Sequence, residues 1–304
     1  MRWIARALLL IGLCGSAWGP WSLCQAGALR LCGRQDPLSA DQQDKLFRFG
    51  AIVKAALEES GQSLALVARS GLDLSRFGMR YSHAGFSLKA SQNSPWSVRQ
   101  LYYACDEQRP GIYDQGMAGF LLGSDTPSIG YLSVVFLPGD PATELERAAL
   151  DNRHAMQLLG PSYSANAYPF SLRYQNCNQW VMELLAAAWG HLDDAGDLRA
   201  RAQGWLTDKS YTPSVFDVGH RPLMWLGAFI PWLHSDDHPP EDIDQNIYRV
   251  SMPASIEAFV HATVPGATRI EFCHTERHVV VRHGWDLIPE GCQPGAQDTV
   301  IALD

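Results

Sequence analysis

Cys177 stands in Asn176-Cys177-Asn178-Gln179-Trp180, where an aromatic and polar stretch over 162–176 gives way to a helical run that closes at Gly190. A cysteine at a helix start lies beside unsatisfied backbone N–H groups and the positive end of the helix dipole. Both favour the thiolate. A free thiol titrates near about 8.5, and a helix N-terminus or a neighbouring histidine can bring it to roughly 3.5–7.5, which suits nucleophilic attack on an amide or ester carbonyl. The plain alternative is a buried structural cysteine or one half of a bridge.

His83, in Arg80-Tyr81-Ser82-His83-Ala84-Gly85-Phe86, is the matching base. A strand aims a side chain rigidly, and the small Ala84 and Gly85 let another element approach closely. A working pair needs sulfur and ring nitrogen within about 3 to 4 Å. A third group usually fixes the tautomer of such a histidine. If a hairpin turns at Gln92-Asn93, Gln100 lies diagonal to His83 on the same face, which makes it the candidate orienter, with Asp114 and Gln115 as competitors. A slip of one residue would turn Gln100 away.

The elements that must position these groups are legible from periodicity. Ser39-Ala40-Asp41-Gln42 has the form of a capping box ahead of Leu46, Phe49, Val53 and Leu57 at helical spacing. Leu64 to Arg69 reads as a buried strand, Tyr81 to Lys89 and Trp96 to Cys105 as a hairpin, and Ile129 to Leu137 as a further strand. Asp140-Pro141 opens a helix whose pattern runs to Leu159, before the stop at Gly160-Pro161. A Trp- and Pro-rich region and a β-like part from Ile270 to Leu303 follow Gly190.

Residues 1–26 read as a secretory signal peptide: Arg2 and Arg6, a short apolar run from Ala7 to Leu13, then small residues ending at Cys24-Gln25-Ala26. The run is shorter than the roughly 20 apolar residues that span a bilayer, so no stable membrane span is expected after cleavage. The formal net charge of −8 loses two more positive charges with the leader. No basic face is left for phosphates, which excludes nucleic acid as a partner. Beyond the leader Cys32, Cys105, Cys177, Cys273 and Cys292 are left, an odd count that in an oxidising compartment leaves at least one thiol unpaired or pairs it between chains, two bridges and one free thiol being the simplest arrangement. Cys273–Cys292 and Cys32–Cys105 are the expected pairs, with Cys177 free. His234 with His238, and His274 with His278, have a spacing that binds metal on a helix, but neither stretch reads as helix, so neither a metal nor a cofactor is expected.

A Ser-His-Ala-Gly strand followed downstream by Asn-Cys at a helix start resembles the permuted NlpC-like branch of the papain superfamily. Arg69-Ser70-Gly71-Leu72-Asp73-Leu74, Tyr81-Ser82-His83-Ala84-Gly85, Tyr113-Asp114-Gln115-Gly116 and Tyr174-Gln175-Asn176-Cys177-Asn178-Gln179-Trp180 more closely resemble bacterial domain-of-unknown-function family 2145. The resemblance implies an α+β, circularly permuted papain-like fold, an antiparallel sheet packed against helices, with Cys177 and His83 as the catalytic pair. The domain expectation is a leader over 1–26, a papain-like core over 27–203, and a C-terminal extension over 204–304 packed on that core. The functional expectation is a periplasmic or secreted thiol hydrolase of the peptidase or amidase type, acting on a peptide, amide or acyl substrate of the cell envelope. The competing expectation is an inactive papain-like binding module of the periplasm.

Overall fold

A computed structural model describes residues 37–123, 126–219, 224 and 230–303; the expected signal peptide and Cys32 lie outside the described residues. Helix α1 (Ala40–Glu59) opens on the capping box, with Ser39 Oγ accepting from Gln42 N–H, and buries Leu46, Phe49, Val53 and Leu57. Strands β1 (Leu64–Arg69), β2 (His83–Leu88), β3 (Ser97–Ala104) and β4 (Arg109–Gln115) follow, then the short helix α2 (Met117–Leu121) and strand β5 (Gly130–Phe136). The expected single helix after Pro138 is two, α3 (Gly139–Leu150) and α4 (Asn152–Gln157). Asp151 breaks it: its backbone is extended and its carboxylate accepts the N–H groups of Arg153 and His154. An Asp that caps a new helix outcompetes continuation of the old one.

Next come α5 (Cys177–Trp189), α6 (Leu198–Asp208), β6 (Ser214–Asp217), α7 (Pro240–Asp244), β7 (Ile247–Val250), α8 (Pro253–Thr263), β8 (Thr268–His274), β9 (His278–His283) and β10 (Thr299–Ala302). Eight strands form one sheet in the order β10-β9-β8-β5-β1-β2-β3-β4. Every pairing in it is antiparallel. The molecule is thus α+β, with helices on both faces. One face, under α3, α5 and α8, buries Leu66, Ala84, Phe86 and Leu101; the other, under α1 and α2, buries Val67, Val98, Leu132 and Phe272. Alternation along each strand produces that division.

The C-terminal strands enter the sheet itself, since β8 pairs with β5 along its whole length. Residues 204–304, expected as an extension packed on the core, therefore supply three of its strands. Their charged side chains also anchor the segment leading into β2. Glu271 on β8 accepts from Arg80 Nη1 at 2.9 Å, from Ile288 N–H at 2.6 Å and from Tyr81 OH, while Arg269 Nη2 donates to Tyr81 OH at 2.9 Å. A disulfide joins Cys273 to Cys292, as the spacing suggests, and locks the end of β8 to the loop after β9. Cys105 is also disulfide-bonded. No helix among the described residues is long and apolar enough to cross a membrane.

Candidate active site

The polar run around Cys177 is buried and committed to holding the helix start. Asn176 caps α5, its Oδ1 accepting from Gln179 N–H at 2.7 Å while its Nδ2 donates to Ala165 O at 3.2 Å. Gln175 fastens the preceding loop to the end of α4, accepting from Gly160 N–H at 2.7 Å and donating to Leu158 O at 2.8 Å. Asn178 Nδ2 reaches across to Ser82 O at 3.1 Å, which ties the helix start to the entrance of β2. These amides therefore position the sulfur.

Beneath them Glu183, fully buried, gathers four side chains. Its carboxylate accepts from Gln179 Nε2 at 3.0 Å, Gln203 Nε2 at 2.8 Å, Arg199 Nε at 2.9 Å and Gln175 Nε2. Arg199 in turn donates to Leu172 O at 3.0 Å and Tyr174 O at 3.1 Å, so one ion pair fixes both the helix and the loop that feeds it. A helix start held this firmly can present one atom at a set place.

Cys177 is the free cysteine among the described residues and is 7% exposed. Burial pushes its thiol up to about 12, against the opposing pull of the Arg69 charge and of the N–H groups of Asn178, Cys177 and Ala84. The helix start does offer the expected donors, but desolvation of the anion outweighs them. The resting group is a thiol.

His83 is 8% exposed, and burial followed by the Arg69 charge takes its ring down to about 3, against the hydrogen bond from Gln100. The hairpin register pairs Phe86 with Arg99, which sets Gln100 diagonal to His83, and the His83 Nε2 and Gln100 Oε1 atoms are hydrogen-bonded. Gln100 Nε2 donates onward to Gln115 Oε1 at 2.7 Å. That second bond turns the Gln100 oxygen toward the ring, and an oxygen without a proton can only accept, so Nε2 carries the hydrogen and Nδ1 is left as the basic atom. Asp114 is occupied elsewhere, paired with Arg99 Nη2 at 2.6 Å. Gly85 makes this crossing possible, since a Cβ there would sit 2.8 Å from Arg99 O and 3.2 Å from the Gln100 Cβ.

Sulfur and ring reach the start of β2 from different faces. Ala84, Phe86 and Leu88 point toward α5, where Phe86 packs on Trp180 with ring centroids 6.3 Å apart. His83 alternates to the face of α2, its ring 5.9 Å from that of Phe120. Among the described residues no hydrogen bond joins the Cys177 sulfur to the His83 ring; the sulfur is met by the neighbouring Ala84 N–H. The expected thiolate–imidazolium pair is therefore a neutral thiol and a neutral imidazole at rest.

The loop ahead of Cys177 binds the 230–238 segment. Asn166 Nδ2 donates to His234 O at 2.7 Å, Tyr168 N–H to Asp237 Oδ2 at 2.8 Å, and Tyr174 stacks on His234 with ring centroids 4.2 Å apart. Arg69, 8% exposed, bears on both groups from the end of β1, and no local sequence signal marks it.

These assignments carry a pH signature. His83 and His274, the latter at about 4 through burial, both titrate below the ordinary 6.5, so the folded chain binds fewer protons than the unfolded one in mild acid. Their contribution to stability is complete above about 6.5 and is lost as pH falls toward 4 and 3. Cys177 acts oppositely, its contribution complete below about 9 and lost above it. The melting temperature should therefore plateau between about pH 6.5 and 9 and fall on both sides, with His274→Phe flattening the acid limb. A melting temperature that holds or rises from pH 7 to 4.5 would contradict this assignment.

A family model described as an uncharacterised protein conserved in bacteria matches residues 56–260, a span from late α1 into α8 that takes in Cys177, His83, Gln100 and Arg69. Neither the curated proteins nor the solved structures contain a match to the chain.

Proposed function

The chain belongs to the DUF2145 family, and from that premise, which brings no reaction with it, we propose an exported thiol hydrolase that forms an acyl-enzyme on Cys177. The observation that carries the proposal is the Cys177 sulfur at a helix start, among the N–H groups of Cys177, Asn178 and Ala84, with a histidine whose tautomer is fixed by Gln100 at the start of the strand that the sulfur meets. Those N–H groups are the kind of donors that stabilise a tetrahedral oxyanion. The disulfide between Cys273 and Cys292 fits an oxidising compartment.

In the proposed cycle the thiol proton passes to His83 Nδ1 as sulfur attacks the carbonyl carbon. The bond from that carbon to the leaving nitrogen or oxygen breaks, and the leaving atom takes the proton from His83. Water, deprotonated by the same ring, then hydrolyses the thioester and restores the thiol. The substrate class is a peptide, amide or acyl compound of the cell envelope, and the overall architecture is taken to be the permuted papain-like one. Binding of the carbonyl must draw ring and sulfur together, since at rest they lie on different faces of β2.

The separation of ring and sulfur, with both groups neutral, favours a second reading, a binding module that has kept the site without the chemistry. p-Nitrophenyl acetate at pH 8 separates the two. A hydrolase should release p-nitrophenol in a burst and carry one acetyl group on the peptide containing Cys177. An unmodified Cys177 in folded protein, with acetate scattered over surface lysines, would leave the binding module as the surviving reading.

A further inference from the structure

Gln115, the last residue of β4, stands one step further from the His83 ring than Gln100 does. The register pairs Val98 with Gln115 and Gln100 with Tyr113, so Gln100 and Gln115 lie diagonal to each other on the face of β3 that also meets His83. Their amides are joined, Gln100 Nε2 donating to Gln115 Oε1 at 2.7 Å, while Gln100 Oε1 is joined to His83 Nε2. Two features hold Gln115 within reach. Arg99 grips the neighbouring Asp114 with two bonds, Nε to Oδ1 at 2.7 Å and Nη2 to Oδ2 at 2.6 Å, which fixes the end of β4. Gly119 on α2 leaves the room the side chain needs, since a Cβ there would lie 2.9 Å from Gln115 Cγ and 3.0 Å from Gln115 Nε2. Of the three linked side chains, His83 and Gln100 are 8% and 2% exposed, whereas Gln115 is at the surface.

An amide has a donor end and an acceptor end, so a chain of two amides has two senses that satisfy its inner bonds equally. In the sense observed, His83 donates from Nε2 and Nδ1 holds the lone pair. In the reverse sense Gln115 donates to Gln100 Oε1, Gln100 Nε2 donates to His83 Nε2, and the ring hydrogen is on Nδ1. Passing from one to the other releases a proton to water from one ring nitrogen and takes a proton from water at the other, so the charge is unchanged. We propose that Gln115 is the positioning residue that selects the observed sense, and so decides which nitrogen of His83 is basic. Gln100 cannot make that choice, because its own two ends serve either sense. The consequence for catalysis rests on the reading of His83 as the base: with the hydrogen on Nδ1, the ring could not take the thiol proton there.

Nitrogen-15 NMR of labelled histidine reads the tautomer without turnover, because a ring nitrogen that carries hydrogen and one that does not resonate far apart; the His83 signals are those lost in His83→Gln. At pH 7.5 the parent should carry the His83 hydrogen on Nε2. Gln115→Glu, which can only accept, should keep it there. Gln115→Leu removes the acceptor and should shift the ratio of the two tautomers about tenfold toward Nδ1–H, the factor that one hydrogen bond produces. Gln115→Lys, which can only donate, should shift it at least as far. Gly119→Ala should act as Gln115→Leu does, by displacing a side chain that it leaves intact. In the same variants acetylation of Cys177 should slow in step with the loss of Nε2–H.

A His83 hydrogen that stays on Nε2 in both Gln115→Leu and Gln115→Lys, or that moves as far in Gln115→Glu as in Gln115→Leu, would overturn the proposal. A tautomer that follows residue 115 while p-nitrophenyl acetate leaves Cys177 unmodified would remove the hydrolase and keep the role of Gln115.

Discussion

Cys177→Ala is expected to reduce p-nitrophenyl acetate turnover to the background of buffer and surface amines, and His83→Gln to reduce it by about 10²–10⁴-fold, the range general-base loss produces. The double substitution should be no worse than Cys177→Ala alone. Residues that act as one unit lose their joint contribution when either is removed, so their effects do not multiply. This pattern is the sharpest statement of the proposal, because ring and sulfur are not hydrogen-bonded at rest. If a bound carbonyl draws them together, the two single losses share one origin. Gln100→Leu should cost less than His83→Gln, since it leaves the ring in place and removes only the acceptor that fixes Nε2–H. Full activity in His83→Gln would mean that the ring serves the packing around Phe120 and not the chemistry.

Much of the site's frame is written locally in the sequence. The capping box at Ser39 and the strands around Leu64, His83 and Ser97 follow from residue patterns over a few positions, and the β2–β3 register follows from the turn. The β4 strand has no legible pattern because Pro110 and Gly111 break it, and it sits at the sheet edge where a proline is tolerated. The pairing of β8 with β5 is illegible for another reason: partners so distant along the chain leave no local trace. The charge states of Cys177 and His83 fall in the same class. The helix start and its donors are local, but burial is a sum over the whole fold, and here it outweighs them.

Glu183→Ala is expected to lower the unfolding free energy by about 3–5 kcal/mol, the cost of stripping one partner from a buried ion pair. Domains carry only about 5–15 kcal/mol in total, so the variant should lie near the limit of folding. Arg199, 5% exposed, would keep its charge with no carboxylate to meet it. Gln179 and Gln203 would each lose an acceptor in the same stroke. Glu183→Gln should be nearly as harmful, because it keeps the shape and removes the charge that Arg199 needs. Pairing Glu183→Leu with Arg199→Met should recover part of the loss, since two apolar groups leave no ion unmet. The recovered protein would still lack the bonds from Arg199 to Leu172 O and Tyr174 O, which hold the loop ahead of Cys177. Stability and site geometry then separate: the double variant should have a higher urea midpoint than Glu183→Ala while Cys177 reacts faster with methyl methanethiosulfonate than in the parent. A Glu183→Ala protein within about 1 kcal/mol of the parent would show that the helix start is held by its Asn176 cap and packing alone.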